Sequence, residues 1–201
     1  MKKLPLSFYS RKDVVSIAKD LIGKIIVTNF EGIITSGRIV ETEAYIAFTD
    51  KASHSFSGKR TPRNEHMYSA PGTAYVYICY GMHQMMNIVT NDFNIPDAIL
   101  LRAVEPLQGI DHMLERRGKK KSDKTLTRGP GKVGKALGIS KFHSGFSLLG
   151  NEIYLMDDHF KISPAQIGES PRIGVESAGK DAKLPYRFYF KGNLYVSHTR
   201  K

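Results

Sequence analysis

The chain has 201 residues, of which 41% are hydrophobic and 24% are charged, as is typical of a globular protein with one good core. Its one cysteine, Cys79, excludes an internal disulfide and a cysteine-based zinc cluster. A formal net charge of +11 favours a polyanionic partner, nucleic acid above all, although solubility alone also accommodates such a surplus.

The N-terminal stretch MKKLPLSFYS does not predict a signal peptide, because Pro5 and Ser7 interrupt its apolar run. No apolar run approaches the length of a membrane-spanning helix. We therefore expect a cytoplasmic protein without a membrane partner, associated with the nucleoid if the polyanion is DNA.

The first 46 residues predict a helix followed by two strands. Apolar residues recur at helical spacing within SRKDVVSIAKDLIGK, Ser10 and Asp13 form a variant of the capping box, and Gly23 can end the helix. The two predicted strands lie at 24–30 and 33–46, with a turn at Glu31-Gly32.

Residues 47–72 predict a long polar loop, and long ordered loops are usually functional. Residues 73–90, TAYVYICYGMHQMMNIVT, predict a β-hairpin with Tyr80-Gly81 at its tip. The later predicted elements are a strand at 98–106 that Pro106 ends, a helix at 109–117, a glycine-rich turn entering a helix at 129–139, and a hairpin at 186–198 that turns at Gly192-Asn193. No repeat or linker interrupts this order, so we predict a single α+β domain over 1–201, with a mostly antiparallel β core and flanking helices.

A basic segment at 116–135 holds nine Lys and Arg against one Asp. Within it, GPGKVGKA nearly matches the nucleotide phosphate loop, but Ala136 replaces the magnesium-binding hydroxyl and no buried strand precedes it. Two interpretations remain open. The turn and Lys132 and Lys135 could grip a DNA phosphate, or the glycines could form an ordinary tight turn before a helix.

The stretch VETEAY places Glu41, Glu43 and Tyr45 on one face of a strand, because side chains alternate with period two. The two carboxylates are about 7 Å apart at Cα. Inverting sugar hydrolases need a similar separation, but their carboxylates flank the scissile bond from opposite sides. We expect one working carboxylate at most, and a salt bridge with a residue such as Arg102 is the alternative.

Seven histidines occur in the chain, but none lies in a zinc-hydrolase or nucleobase-deaminase motif, so we predict no metal site. Tyr80 differs from the other tyrosines of its segment. A bulky ring at a hairpin tip has little to pack against, and a wedge between DNA base steps would use that position. An exposed turn tyrosine or a protein contact is the alternative.

The motifs RIVETEAY, RTPRN, PGTAYVYICYGM, MNIV, LLRAVEP, RGPGKVGKALGI and RFYFKGN occur in the order typical of the alkyladenine (3-methyladenine) DNA glycosylases of the monofunctional vertebrate and bacterial type. The chain resembles this family over residues 10–198. The resemblance implies a base-excision repair enzyme that flips damaged purines out of duplex DNA and hydrolyses the N-glycosidic bond, without strand cleavage, metal or other cofactor. It implies 3-methyladenine, 7-methylguanine, hypoxanthine and ethenoadenine as the class of lesions. An enzyme that scans DNA is expected to be a monomer.

The resemblance also implies roles at the reacting bond. Glu43 matches the general base, Arg102 matches an arginine that helps to hold the attacking water, and a backbone carbonyl near Ile173 matches a third holder of that water. Glu41 matches no catalytic role, so we expect it to give structural or electrostatic support.

Other matching residues are implied to bind the base and the duplex. Tyr45, His54 and Tyr77 match the pocket that sandwiches the flipped base, and Asn87 matches the residue that disfavours guanine. Tyr80 matches the intercalating tyrosine. The remaining DNA-binding predictions are Arg60, Arg63, Met82, Gly131, Lys132 and Lys135. Gln84 and Met85 depart from the family pattern of an aromatic and a small residue, which predicts different packing of the hairpin.

Overall fold

The computed structural model describes residues 1–197, and their nine strands join in one sheet in which every strand pair is antiparallel. The strands are β1 (Lys2–Lys3), β2 (Ile25–Phe30), β3 (Ile33–Tyr45), β4 (Ala74–Cys79), β5 (His83–Thr90), β6 (Asp97–Gln108), β7 (Ile153–Asp157), β8 (Ile167–Ser170) and β9 (Arg187–Phe190). Their order is β1-β7-β2-β3-β6-β5-β4, with β9 paired to both β3 and β8. The predicted mixed α and β fold with a mostly antiparallel core is confirmed.

Four α-helices and several short 3₁₀ turns accompany the sheet in the described part of the chain. The helices are α1 (Leu6–Tyr9), α2 (Val14–Asp20), α3 (Ile110–Arg117) and α4 (Pro130–Ala136). Asp13 caps α2, because its carboxylate accepts the N–H groups of Val15 and Ser16 at 3.0 and 3.1 Å. The predicted capping box with Ser10 is wrong, since Ser10 ends the preceding single-turn helix α1.

The main apolar core lies between one face of the sheet and the helices α2 and α4. Ile17 of α2, Leu21 directly after it and Val133 of α4 are fully buried there, together with Ile39 of β3 and Leu101 of β6. Burial of each such side chain stabilises the fold by about 1.5–3 kcal/mol. The opposite face of β3 and β6 is left for a second, polar set of buried residues.

Two irregularities in the pairing of β3 with β6 decide which side chains reach that polar face. Ile39 pairs with Val104 and Glu41 with Ala103, so Val40 has no partner of its own. Thr42 then pairs with Leu101, which leaves Arg102 as the extra residue on β6. Such bulges bend a strand and re-aim its side chains. As a result Ile39 and Thr42 face the main core, whereas Glu41, Glu43 and Arg102 face the other side of the sheet.

The prediction that Pro106 ends its strand is wrong, because β6 continues to Gln108. Proline lacks an N–H to donate and is therefore tolerated only where a ladder bond is missing. At Pro106 the partner β5 has already ended, and the register to β3 slips between Ser36 and Gly37. The missing N–H of Pro106 therefore breaks no regular ladder, either towards β5 or towards β3.

The predicted C-terminal hairpin is wrong within the described residues. β9 pairs with β8 and β3, and the chain after Phe190 turns without adding a strand. Side chains hold this last segment instead, as where Asn193 donates to Glu105 at 2.8 Å. His198, at the end of the predicted hairpin, lies outside the described residues.

Candidate active site

Glu43 is fully buried on the polar face of β3, and three donors reach its carboxylate. The Tyr45 hydroxyl and Arg102 Nη1 donate to Oε2 at 2.8 and 3.1 Å, and the backbone N–H of Ile173 donates to Oε1 at 2.7 Å. Burial raises the pKa of Glu43 above its ordinary value, although Arg102, the Ile173 N–H and Tyr45 act in the opposite direction. The Ile173 contact uses the amide nitrogen, so a role for a carbonyl near Ile173 stays a prediction.

Glu41 is the better-compensated of the two acids. Arg102 Nε and Arg187 Nε donate to its Oε1 at 2.9 and 2.7 Å, and the N–H of Ser197 donates to Oε2 at 2.7 Å. Burial alone would raise the pKa of Glu41, but the two guanidiniums and Ser197 outweigh it and lower the pKa. Glu41, Glu43, Arg102 and Arg187 form a buried ion cluster with equal numbers of the two charges. The predicted alternative of a salt bridge with Arg102 therefore describes both acids.

A cavity of about 500 Å³ lies beside Glu43, within the usual size range of ligand sites. Eight of the predicted site residues line it: Tyr45, His54, Arg63, Tyr77, Tyr80, Asn87, Arg102 and Ile173. Glu43 itself does not line the cavity, but Tyr45, Arg102 and Ile173 line it and also donate hydrogen bonds to Glu43. A carboxylate has about four lone-pair sites, so the three donors leave about one acceptor site on Glu43 without a partner among the described residues.

Aromatic rings form one wall of this cavity. His54 packs edge-on against Tyr77 with ring centroids 4.6 Å apart, and Tyr75 stacks on Tyr77 at 5.6 Å. The Tyr75 hydroxyl lies 2.9 Å from His54 Nδ1. Burial, together with the nearby charges of Arg63 and Lys59, lowers the pKa of His54 to about 4, so the imidazole is neutral at pH 7. Tyr75 and Tyr77 lie two positions apart on β4, so their side chains share this wall.

Asn87 occupies a fixed position in the cavity floor. It pairs with Tyr75 of β4 and Leu100 of β6 and is almost fully buried. Its side-chain nitrogen donates to the Tyr75 carbonyl at 3.2 Å. The side-chain amide is thus anchored to the backbone of the sheet.

The tip of the β4–β5 hairpin holds Tyr80 at the mouth of the cavity. Tyr80 and Gly81 both have left-handed backbones, with φ of 49° and 71°. The Tyr80 side chain is 87% exposed and Met82 is 71% exposed, so both apolar side chains point away from the fold. Of the two departures from the family pattern, Met85 lines the cavity, and Gln84 accepts the N–H of Lys141 at 2.8 Å.

The predicted DNA-binding residues fall into separate places. Met82, Gly131, Lys132 and Lys135 line a second cavity of about 610 Å³ beside the hairpin, together with Arg116 and Arg117. Gly131 also serves packing, because a Cβ there would lie 2.8 Å from the Cβ of His83. Arg63 lies over the Tyr77 ring at 5.4 Å. Arg60 is not brought to either cavity, since it pairs with Glu65 at 2.5 Å.

Three buried charged residues of this region were missed by the sequence-based prediction: Asp50, Arg172 and Arg187. Arg187 pairs with Glu41 across 146 positions of the chain, and Arg172 pairs with Asp50 across 122. No local pattern carries such contacts. Asp50 in the long loop and Arg172 next to Ile173 were the only hints in the sequence.

Within residues 1–197, no group of three His, Cys, Asp or Glu side chains is placed to hold a metal ion. In the same part of the chain, no helix has the length and apolar character needed to cross a membrane.

Comparison with known proteins gives consistent matches over almost the whole chain. The sequence model of the methylpurine-DNA glycosylase family matches residues 7–194. A protein of Clostridium perfringens (strain 13) named "Putative 3-methyladenine DNA glycosylase" is 42% identical over 203 residues, covering 97% of this chain and 98% of its own length. Proteins of the same name from Desulfitobacterium hafniense and Chlamydia felis are 42% and 45% identical, covering 98% and 92% of this chain and 99% and 94% of their own lengths.

Proposed function

The chain belongs to the methylpurine-DNA glycosylase family and is therefore a DNA glycosylase, a hydrolase of N-glycosyl bonds; on that premise we propose that it excises damaged purines from duplex DNA with a water molecule activated by Glu43. The observation that carries the proposal is the buried Glu43 carboxylate. It lies beside an aromatic cavity and has one acceptor site left. The proposed substrates are purines alkylated or deaminated at the base, with 3-methyladenine taken from the names of the relatives.

Access to the cavity requires the base to leave the double helix. Flipping costs a few kcal/mol, and least for a damaged or mispaired base. We assign to Tyr80 the refilling of the gap in the stack, because its ring is exposed at the cavity mouth. Lys132 and Lys135 beside the hairpin supply positive charge for the phosphates of the bent duplex.

The flipped purine is then held between Tyr45 on one side and His54 and Tyr77 on the other. Electron-rich ring faces attract electron-poor and cationic alkylpurines. The low pKa of His54 supports this assignment, because a neutral imidazole does not repel a cationic base. Asn87 excludes guanine through a clash with its exocyclic amine, since the amide is tied to the sheet.

In the hydrolytic step, the glycosidic bond to C1′ breaks and its electron pair leaves with the base. A cationic alkylpurine thereby departs as a neutral base, whereas a neutral lesion such as hypoxanthine departs as an anion that takes a proton from solvent water. Glu43 accepts a proton from the water, whose oxygen bonds to C1′, and the negative carboxylate stabilises the oxocarbenium-like transition state. Arg102, at 3.1 Å, favours the ionised form of Glu43 and so opposes the effect of burial on its pKa. No lysine is needed as nucleophile, so the product is an abasic site in an uncut strand.

The test is Glu43→Gln, assayed on duplexes that carry 3-methyladenine, 7-methylguanine, hypoxanthine or ethenoadenine. General-base catalysis contributes about 10²- to 10⁴-fold, so we expect base release to fall by at least about a hundredfold while binding of the duplex is retained. Glu169→Gln, an exposed acid paired with Lys19, is the matched control and should excise at the wild-type rate. Normal excision by Glu43→Gln would refute the mechanism.

A further inference from the structure

Arg172 is a buried residue next to the cavity to which the proposed mechanism gives no role. Its side chain is fully buried. Its Nη1 and Nη2 donate to the two carboxylate oxygens of Asp50, with Nη2 2.8 Å from Oδ1. It also donates to the carbonyl oxygens of Ala44 at 2.9 Å and Asp181 at 3.1 Å. One guanidinium thus joins the end of β3 and the loop that follows it to the segment around Asp181, which is distant in the sequence.

Two of the three donors to Glu43 belong to residues that adjoin Arg172. Arg172 lies against the Tyr45 ring, 4.7 Å from its centroid, and the Tyr45 hydroxyl donates to Glu43. The residue that follows Arg172 is Ile173, whose N–H is the 2.7 Å donor to Glu43. The pairing also extends to the cavity wall, since Asp50 accepts the N–H of Ala52 at 3.0 Å.

We propose that Arg172, held by Asp50, is a positioning residue that keeps the Tyr45 ring and the Ile173 N–H in place on Glu43. The inference rests on the proposed role of Glu43 as the base. Arginine is suited to this task because its planar fork fits a carboxylate and an aromatic face at once, which lysine cannot do. A shift of about 1 Å in such a supporting contact can slow catalysis about a hundredfold.

Loss of this support has a specific signature at Glu43. The charged and titratable groups around Glu43 are Glu41 and Tyr45 of its own strand, Arg102 of β6, Tyr77 of β4, Arg187 of the paired strand β9 and Arg172 itself. The Ile173 N–H and the Tyr45 hydroxyl both hold the pKa of Glu43 down. Their displacement would raise that pKa further, so a higher pH would be needed to ionise the base.

A matched pair of the same chemistry lies away from the cavity. Arg38 makes a two-point contact with Asp158 at 3.0 and 2.7 Å, donates to the Gly23 carbonyl at 2.7 Å, and stacks on Phe160 at 4.0 Å. It does not line the cavity beside Glu43. Arg38→Lys therefore removes the same kinds of contact without touching the supports of Glu43.

The experiment compares Arg172→Lys with Arg38→Lys in single-turnover release of hypoxanthine from a duplex, with enzyme in excess, between pH 5 and pH 9. If the wild type does not excise hypoxanthine, methylated duplex DNA and release of 3-methyladenine replace it. For Arg172→Lys we expect the maximal rate to fall about 10- to 100-fold and the acid limb of the profile to move up by about one pH unit. The half-saturating enzyme concentration should stay within about threefold of wild type. For Arg38→Lys we expect the melting temperature to fall while the pH profile is unchanged.

Asp50→Asn is the second variant, because it keeps the shape of the side chain and removes one acceptor for Arg172. We expect the acid limb of its pH profile to move up as well, by less than in Arg172→Lys. A pH profile at the wild-type position in both Arg172→Lys and Asp50→Asn would overturn the inference, whatever their stability. The Glu43→Gln variant is measured alongside. Excision by Glu43→Gln refutes the proposed base, whereas an inactive Glu43→Gln with unshifted Arg172→Lys refutes only the positioning role.

Discussion

Charge is arranged differently in the buried ion cluster and on the surface around the hairpin tip. In the cluster, each carboxylate meets a guanidinium at 2.7–3.1 Å, and both carboxylates are buried away from bulk solvent. On the surface, Lys132 and Lys135 lie beside Arg117, and none of the three takes part in an ion pair within residues 1–197. Burial and the like charges of Arg117, Arg128 and Lys119 lower the pKa of Lys132.

This difference separates two tasks. Paired charges at low dielectric interact strongly with their direct partners and influence the protonation of a single group, Glu43. Unpaired charges in water act on a whole polyanion and lose strength with added salt. Substitutions in the buried cluster should therefore alter the rate of base release and the stability of the fold. Substitutions of the surface lysines should alter the affinity for duplex DNA.

The largest expected effect comes from Arg102→Met in the cluster. Glu41 would then keep only Arg187 and Glu43 would lose its guanidinium partner, and breaking a buried pair costs about 3–5 kcal/mol. We expect a much lower urea midpoint and a loss of base release. Lys120→Met, a change at an exposed residue, should cost less than about 0.5 kcal/mol. Equal midpoints for the two variants would contradict the view that the cluster is a stability element.

Tyr80→Ala tests the surface side without touching the core. Stacking of an aromatic side chain with a base is worth about 1–3 kcal/mol, so excision at limiting enzyme should fall roughly 5- to 150-fold. The unfolding midpoint should not change, because the ring is 87% exposed. Phe142→Ala removes an aromatic ring that is 78% exposed and does not line the cavity, and it should excise normally. A similar loss in both variants would argue against a wedge at the hairpin tip.

The pH dependence of the maximal rate should reflect the raised pKa of Glu43. The base works only when ionised, so the rate should fall about tenfold per pH unit below a midpoint higher than the ordinary glutamate value of about 4.3. Since the folded pKa of Glu43 is raised, its protonated form favours folding at low pH and that contribution is lost as pH rises. Glu41 has the opposite sign, because its lowered pKa stabilises the fold above the unfolded pKa. Circular dichroism over the same pH range checks that the enzyme stays folded, and a rate that is flat down to pH 4 would exclude Glu43 as the base.

The smallest effects are expected from Lys132→Ala and Lys135→Ala. Each should weaken duplex binding similarly for all sequences and reduce the slope of log affinity against log salt by about one. The rate at saturating enzyme should remain that of the wild type. Lys161→Ala, an exposed lysine that shares a cavity with Lys19 of α2, serves as the control and should leave the salt slope unchanged. A lowered saturating rate with an unchanged slope would place these lysines in the chemistry rather than in phosphate binding.

Elements with a strong local pattern were predicted well. The β4–β5 hairpin, α3 and α4 lie where turn residues and periodicity placed them, because their stability depends on near neighbours. The C-terminal hairpin failed because β9 has two better partners, β3 and β8, which are remote in the sequence. A β-rich segment carries no mark of which strand it will join.

The candidate site divides in the same way. Alternation within VETEAY predicted that Glu43 and Tyr45 share a face of the strand. This shared face allows the 2.8 Å hydrogen bond from the Tyr45 hydroxyl to Glu43. The same alternation would put Ile39 on that face too, but the bulge at Val40 turns it into the main core. Arg187 and Arg172 were not predicted at all, because each meets its acid across more than a hundred residues.

The sequence by itself determined the charge surplus, the hairpin with an exposed Tyr80 and the acid and tyrosine that share one strand face. Each of these depends on residue type and spacing within a few positions. Only the tertiary structure decided that two bulges aim Arg102 between Glu41 and Glu43, and that Arg187 and Arg172 close the network around them. The reason is physical. Buried charges are stable only with partners, and those partners come from whichever distant segments the fold brings within about 3 Å.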